Sequence, residues 1–85
     1  MAYRIEVTSA ARRALKKLEP DTTRRIVDAI DSLAKDPRPS GSKKLRGTDD
    51  LYRIRVGNYR VIYQVHDKAL LVIIVDLGHR RDVYR

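Results

Sequence analysis

The sequence predicts an α+β domain: an N-terminal strand and a two-helix hairpin packed on a mainly antiparallel sheet, completed by three meandering C-terminal strands. Three observations carry that prediction. Two helical stripes lie between residues 10 and 35, strand-like runs follow one another from Lys44 onward, and Gly57-Asn58 sits as a turn dipeptide between two of those runs. The 85 residues are read as one domain over positions 1–85, with a thin core and little stability to spare.

"YRIEV" (3–7) alternates apolar and polar residues and reads as a strand. Thr8 or Ser9 then offers a hydroxyl as N-cap for "AARRALKKL", where Ala11, Leu15 and Leu18 share a face at helical spacing. Glu19-Pro20-Asp21 separates this helix from the next, because proline suits a first turn and not an interior. The second helix is expected from about Thr22 to Lys35, with Ile26, Val27, Ile30, Leu33 and Ala34 as its stripe. "DPRPSGS" (36–42) ends it, since two prolines and a glycine leave no helical option.

"LYRIRV" (51–56) and "YRVIYQVH" (59–66) flank Gly57-Asn58, whose leading glycine suits a two-residue type II′ turn. A second turn is expected at Asp67-Lys68. "ALLVIIVDL" (69–77) is apolar on both faces, as an inner strand should be, and Gly78 offers a sharp exit into the tail "HRRDVYR".

The turn dipeptide fixes a register: Val56 opposite Tyr59, Arg55 opposite Arg60, Ile54 opposite Val61, Arg53 opposite Ile62. One face of the hairpin then holds Tyr52, Ile54, Val56, Tyr59, Val61 and Tyr63, suited to lie under the helices. The other holds Arg53, Arg55, Arg60, Ile62 and Gln64, and residues 51–66 contain no acid. Like charges directly opposite one another cost a sheet from a few tenths to about 1 kcal/mol. An absent anion explains that cost, and arginine's planar fork fits a phosphodiester better than lysine's point charge does. The other reading is that these arginines solvate an exposed face and guard it against aggregation.

Charge supports the first reading. The chain carries a net +8, a balance of +2 over residues 1–37 and +6 over 38–85. Such a surface suits nucleic acid, an acidic protein or an anionic membrane. The longest apolar run, "ALLVIIV", is too short to cross a bilayer, and the helices read as ordinary core helices, so no membrane role is expected. The absence of cysteine removes disulfides, and the chain is read as cytoplasmic. No Cys/His/Asp cluster has metal-ligand spacing, and no glycine-rich phosphate loop or nucleophile elbow is present; no cofactor and no metal are expected.

Two further basic clusters join the hairpin. In "KKLRG" (43–47), Lys43, Lys44 and Arg46 approach the hairpin arginines, either to grip a nucleic-acid backbone or as a solvated loop. The tail brings His79, Arg80, Arg81 and Tyr84 together. His79 has the one side chain there with an ordinary pKa near neutrality, and arginines nearby would lower the phenol pKa of Tyr84. Against these stand a solvated histidine, a plain charge run and a tyrosine that anchors the terminus. His66 reads as structural.

"KKLRG…LYRIRVGNYRVIYQV…VDLGHRRDVY", with "TSAARRALKKL" near the start, resembles the RelE branch of the RelE/ParE toxin superfamily of toxin–antitoxin systems. The resemblance implies a compact α+β toxin that enters the ribosomal A site and cuts mRNA there. The 2′-hydroxyl attacks its own 3′-phosphate, leaving a 2′,3′-cyclic phosphate and a 5′-hydroxyl, without a metal. By position it implies Arg60 and Arg80 on the scissile phosphate, Arg55 in support, and Arg53 with Arg46 on the flanking backbone. Tyr84 is implied as base for the 2′-hydroxyl, with His79 as competitor or as acid for the leaving oxygen. Some members carry lysine at the positions of Arg53 and Arg55; arginine does not deprotonate, so neither is a base here. The partners implied are mRNA, the ribosome and a cognate antitoxin, whose helix would dock in a groove of the toxin, with Leu71, Ile73 and Val75 as one candidate contact unless the chain's own elements bury them. A toxin acting on DNA gyrase and a non-catalytic RNA-binding module are the alternatives.

Overall fold

The computed structural model describes residues 2–47 and 50–79. Strand β1 (Arg4–Val7) leads directly into α1 (Ser9–Lys16), in keeping with the alternation and the hydroxyl cap. Thr8 is the cap and works in both directions. Its Oγ1 accepts from the Ala11 N–H at 3.2 Å and donates to the Val75 carbonyl at 2.8 Å, fastening the start of the helix to a strand.

Helix α2 (Pro20–Ser32) begins two residues earlier than expected and ends three earlier. Pro20 occupies its first turn, where a missing N–H costs nothing. At the other end Pro37 disfavours helical geometry at Asp36. The chain tightens instead, with Leu33, Ala34 and Lys35 donating to carbonyls three residues back. Thr23 donates its hydroxyl to the Leu15 carbonyl at 3.3 Å, tying the two helices at their turn.

The sheet has the order β1-β5-β4-β3-β2, where β2 is Lys43–Lys44, β3 Leu51–Val56, β4 Tyr59–His66 and β5 Leu71–His79. β1 and β5 run parallel and every other neighbouring pair antiparallel. The expected hairpin register holds: Val56 faces Tyr59, Arg55 faces Arg60, Ile54 faces Val61 and Arg53 faces Ile62. Gly57 has φ of +60° while Asn58 stays out of the left-handed region, as a type II′ turn requires.

The next connection differs. It spans residues 67–70 rather than two residues, and Leu70 adopts φ of +50° so that its carbonyl can accept from the Arg4 N–H at 2.7 Å. Strand β5 consequently starts at Leu71 and runs through Gly78 to His79, two residues past the expected end. Gly78 is a strand residue and not an exit.

The helices cover one face of the sheet. Ile26 and Leu33 meet Val61, Tyr63, Val72 and Ile74 there, all fully buried, and Tyr52, Val56 and Tyr59 pack around them. Tyr63 donates its hydroxyl to the Pro37 carbonyl at 2.8 Å, and burial pushes its pKa up to about 12. No helix among the described residues is long and apolar enough to cross a membrane.

Candidate functional site: the arginine face

Period-two alternation delivers Arg53, Arg55 and Arg60 to the face away from the helices. Arg55 and Arg60 are direct cross-strand partners, and Gly78 of β5 lies on the other side of Arg60. Arg60 thus has a cation on one flank and, on the other, a residue with no side chain to crowd it. Arg55 is exposed; Arg60 is half-buried, its Nε withdrawn from solvent. A second like-charge pair lies along the sheet, because the register sets Lys43 opposite Arg53.

Arg53 does not fit the alternative of a solvated side chain on an exposed face, since it is only 6% exposed. Buried charges ordinarily have partners. Yet the ion pairs formed between described residues are Arg4–Glu6 and Arg38–Asp67, and neither involves Arg53 or Arg55.

Other expected members are separated from this cluster. Lys44 is paired with Tyr52, on the helix face. Arg46 lies past the point where the Leu45 N–H donates to the Leu51 carbonyl, at the far end of β3 from Arg55. That is about four residues of strand, or ~13 Å. His79 pairs with Tyr59, and their rings meet edge to face at 5.8 Å and 74°, again on the helix side.

The position of His79 has a local cause. Tyr63 pairs with Ile74 and Ile62 with Asp76, so Val75 is an extra residue in β5, a β-bulge. Strict alternation from Leu71 would put His79 on the arginine face. One inserted residue exchanges the faces of everything after it, bringing Gly78 beside Arg60 and turning His79 away. Leu71, Ile73 and Val75 are half-buried. Arg80, Arg81 and Tyr84 lie outside the described residues.

The sequence gives little sign of a brace on the opposite, helix-covered face. Arg38, inside the loop read only as a helix terminator, donates to both carboxylate oxygens of Asp67 at 3.1 and 2.8 Å and through Nε to the Tyr52 hydroxyl at 3.1 Å. Its guanidinium carbon lies 5.2 Å from the centre of the Tyr52 ring, which stacks on Tyr63 at 5.9 Å. Tyr3 adds a 2.6 Å hydrogen bond to Asp67 Oδ1. The Arg38 and Tyr3 hydrogen bonds pull the Asp67 carboxyl down to about 2. The one signal in the sequence is an arginine held between two prolines, Pro37 and Pro39.

Comparison with known proteins places this geometry. Residues 5–84 match the family described as the ParE toxin of type II toxin–antitoxin system, parDE. The chain is 34% identical to Toxin RelG of Mycobacterium tuberculosis, covering all of this chain and 99% of that protein. It is 29% identical to the mRNA interferase toxin RelE of Escherichia coli, over 94% of this chain and 85% of the relative. The structure is similar to that of the RelE–RelB complex from Pyrococcus horikoshii OT3, with a TM-score of 0.85, 36% identity and coverage of 98% and 100%. Helices, mixed sheet and arginine-bearing hairpin therefore identify the chain as a member of the RelE/ParE superfamily of type II toxin–antitoxin toxins.

Proposed function

We propose that this toxin is an endoribonuclease that cuts mRNA in the ribosomal A site, and that the arginine face receives the scissile phosphate. The observation that carries the reading is the direct opposition of Arg55 and Arg60 across the hairpin. Two guanidinium groups kept side by side stabilise an anion more strongly than they stabilise the fold.

In the proposed step the RNA 2′-oxygen forms a bond to the adjacent phosphorus, and its proton passes to the phenolate of Tyr84. The bond from phosphorus to the 5′-oxygen breaks, that oxygen takes the electron pair and then a proton from solvent, and a 2′,3′-cyclic phosphate remains. Charge on the non-bridging oxygens grows in the transition state, where Arg60 and Arg80 meet it and Arg55 assists. Arg53 holds neighbouring RNA backbone, and Arg46 and Arg81 are assigned to RNA binding away from the cut. His79 lies against the Tyr59 ring and is given no step in this proposal. The partners proposed are mRNA, the ribosome and an antitoxin that covers the basic face and the apolar Leu71, Ile73 and Val75. The naming of E. coli RelE as an mRNA interferase and the RelB bound in the P. horikoshii complex support this reading.

The match to a family described through ParE favours one other reading, a toxin that acts on DNA gyrase without cutting RNA. Mapping mRNA 5′ ends in a translating extract given purified protein, with and without ribosomes, separates the two. Cuts within translated codons support the nuclease; intact mRNA together with gyrase-dependent DNA breaks in cells supports the other. Tyr84→Phe should lower cleavage at least about tenfold with RNA binding nearly unchanged, because general base assistance typically supplies ~10²–10⁴-fold. Undiminished cleavage would remove Tyr84 as the base.

A further inference from the structure

The edge of the sheet beside Arg53 is built in a way that the cutting step alone does not explain. β2 pairs with β3 for two residues only, Lys43 with Arg53 and Lys44 with Tyr52. On its way to β2 the chain passes through a turn over Pro39–Ser42, closed by the Ser42 N–H donating to the Pro39 carbonyl at 2.9 Å, with Gly41 at φ of +93°. This turn leaves an open notch of about 350 Å³ against β3, lined by Ser40, Gly41, Lys43, Arg53, Ile54 and Arg55.

Every charged group in that lining is a cation, and Arg53 is more than nine-tenths buried. Its guanidinium forms no hydrogen bond or ion pair with any described residue. The Arg38 brace and the Tyr63 hydrogen bond to the Pro37 carbonyl fix the start of the loop that bears the turn. The notch is therefore a positioned feature of the fold.

We propose that this notch is a second phosphate site, which holds the RNA backbone phosphate next to the one being cut. The inference rests on the nuclease reading above. Its geometry repeats that of the first site. Lys43 opposite Arg53 is one like-charge pair, Arg55 opposite Arg60 is another, and the two are offset by two residues of β3. Two residues of strand span about 6.6 Å, comparable to the step between successive phosphates of a single RNA strand. A β-strand with basic residues at alternate positions thus carries cations in step with a phosphodiester chain. Arg53 offers a rigid fork, Lys43 a mobile ammonium and Ser40 a hydroxyl, all donors to phosphate oxygen.

The test uses a short single-stranded RNA with one 2′-deoxy residue that blocks the cut. It is prepared with natural phosphates, or with a neutral methylphosphonate at one phosphate neighbouring the blocked one, on either side. Wild-type protein should bind the version neutral at one of those neighbours several-fold more weakly. Lys43→Ala, at an exposed position, should bind the natural RNA several-fold more weakly and lose that discrimination, as two changes at one contact do. Its slope of log affinity against log salt should fall by about 0.7, the value for one phosphate contact on a single strand. A melting curve equal to wild type controls for folding.

Unchanged discrimination and an unchanged slope in Lys43→Ala overturn the second site while the nuclease reading stands. Antitoxin affinity lost in this variant with RNA binding intact assigns the notch to the partner protein and overturns it too. If wild-type protein neither binds RNA nor cuts mRNA on ribosomes, the nuclease reading fails and takes this site with it.

Discussion

Arg38 and Arg53 are both anchored by the fold, and in opposite ways. Arg38 keeps 42% of its side chain in water, where a charge needs no help, yet it has a two-point grip on Asp67, a tyrosine hydroxyl and an aromatic face. Arg53 is 6% exposed, where a charge needs help most, and it has no carboxylate partner among the described residues. Burial alone would assign the partners the other way round. The charge of Arg38 is consumed inside the molecule, in closing a loop onto the sheet. The charge of Arg53, like that of Arg55, meets no carboxylate among the described residues.

The largest effect that tests this contrast falls on the proposed site of the scissile phosphate. Arg60→Ala should lower mRNA cleavage by about 10²–10³-fold, the usual result of deleting one donor to a charge that develops in the transition state. The variant's cooperative unfolding should persist. End mapping and thermal melting on one preparation check both. A fall in cleavage below tenfold would mean that the pair with Arg55 is not where the phosphate is split.

A smaller effect compares the two arginines directly. Arg53→Met retains the buried stem and removes the charge. It should lower cleavage about ten- to a hundredfold, the worth of a charge-assisted contact, without lowering the melting temperature. Arg38→Met should do the reverse, lowering the melting temperature while the folded fraction keeps cutting. If Arg53→Met melts well below wild type, Arg53 serves the fold and the contrast collapses.

How legible each feature is in the sequence follows from how local its determinants are. Gly57-Asn58 fixes the hairpin register within twelve residues, so the opposition of Arg55 and Arg60 follows from the residues alone. The Thr8 cap and the proline between the helices are equally local. The misplaced features depend on distant partners. Leu70 turns left-handed to serve β1, 66 positions earlier, which moves the start of β5. The bulge at Val75 sits in a strand apolar on both faces, so no polar residue marks where the alternation slips, and strict alternation sets His79 on the wrong side of the sheet. The burial of Arg53 and the grip of Arg38 on Asp67 both arise from how the 36–42 loop returns to the sheet, and a run of prolines and glycine shows only that a helix has ended.

The smallest expected effect concerns pH and the brace. The folded-state pKa of Asp67 is depressed from 3.8 to about 2 by hydrogen bonds from Arg38 and Tyr3. A depressed carboxyl adds stability above its unfolded pKa and loses it as the folded group protonates. The contribution should thus be complete above about pH 4 and fade between about pH 4 and 2. Asp67→Asn removes it. The gap in melting temperature between wild type and this variant should be flat from pH 5 to 8 and close as pH falls from 4 to 2. It should be modest, because the Asp67 side chain is 56% exposed and water screens it, and smaller again in high salt. A gap of the same size at pH 2 and pH 7 would show that the loop is held by packing of Arg38 on Tyr52 and not by charge, and Arg38 would then no longer be an arginine whose charge the fold consumes.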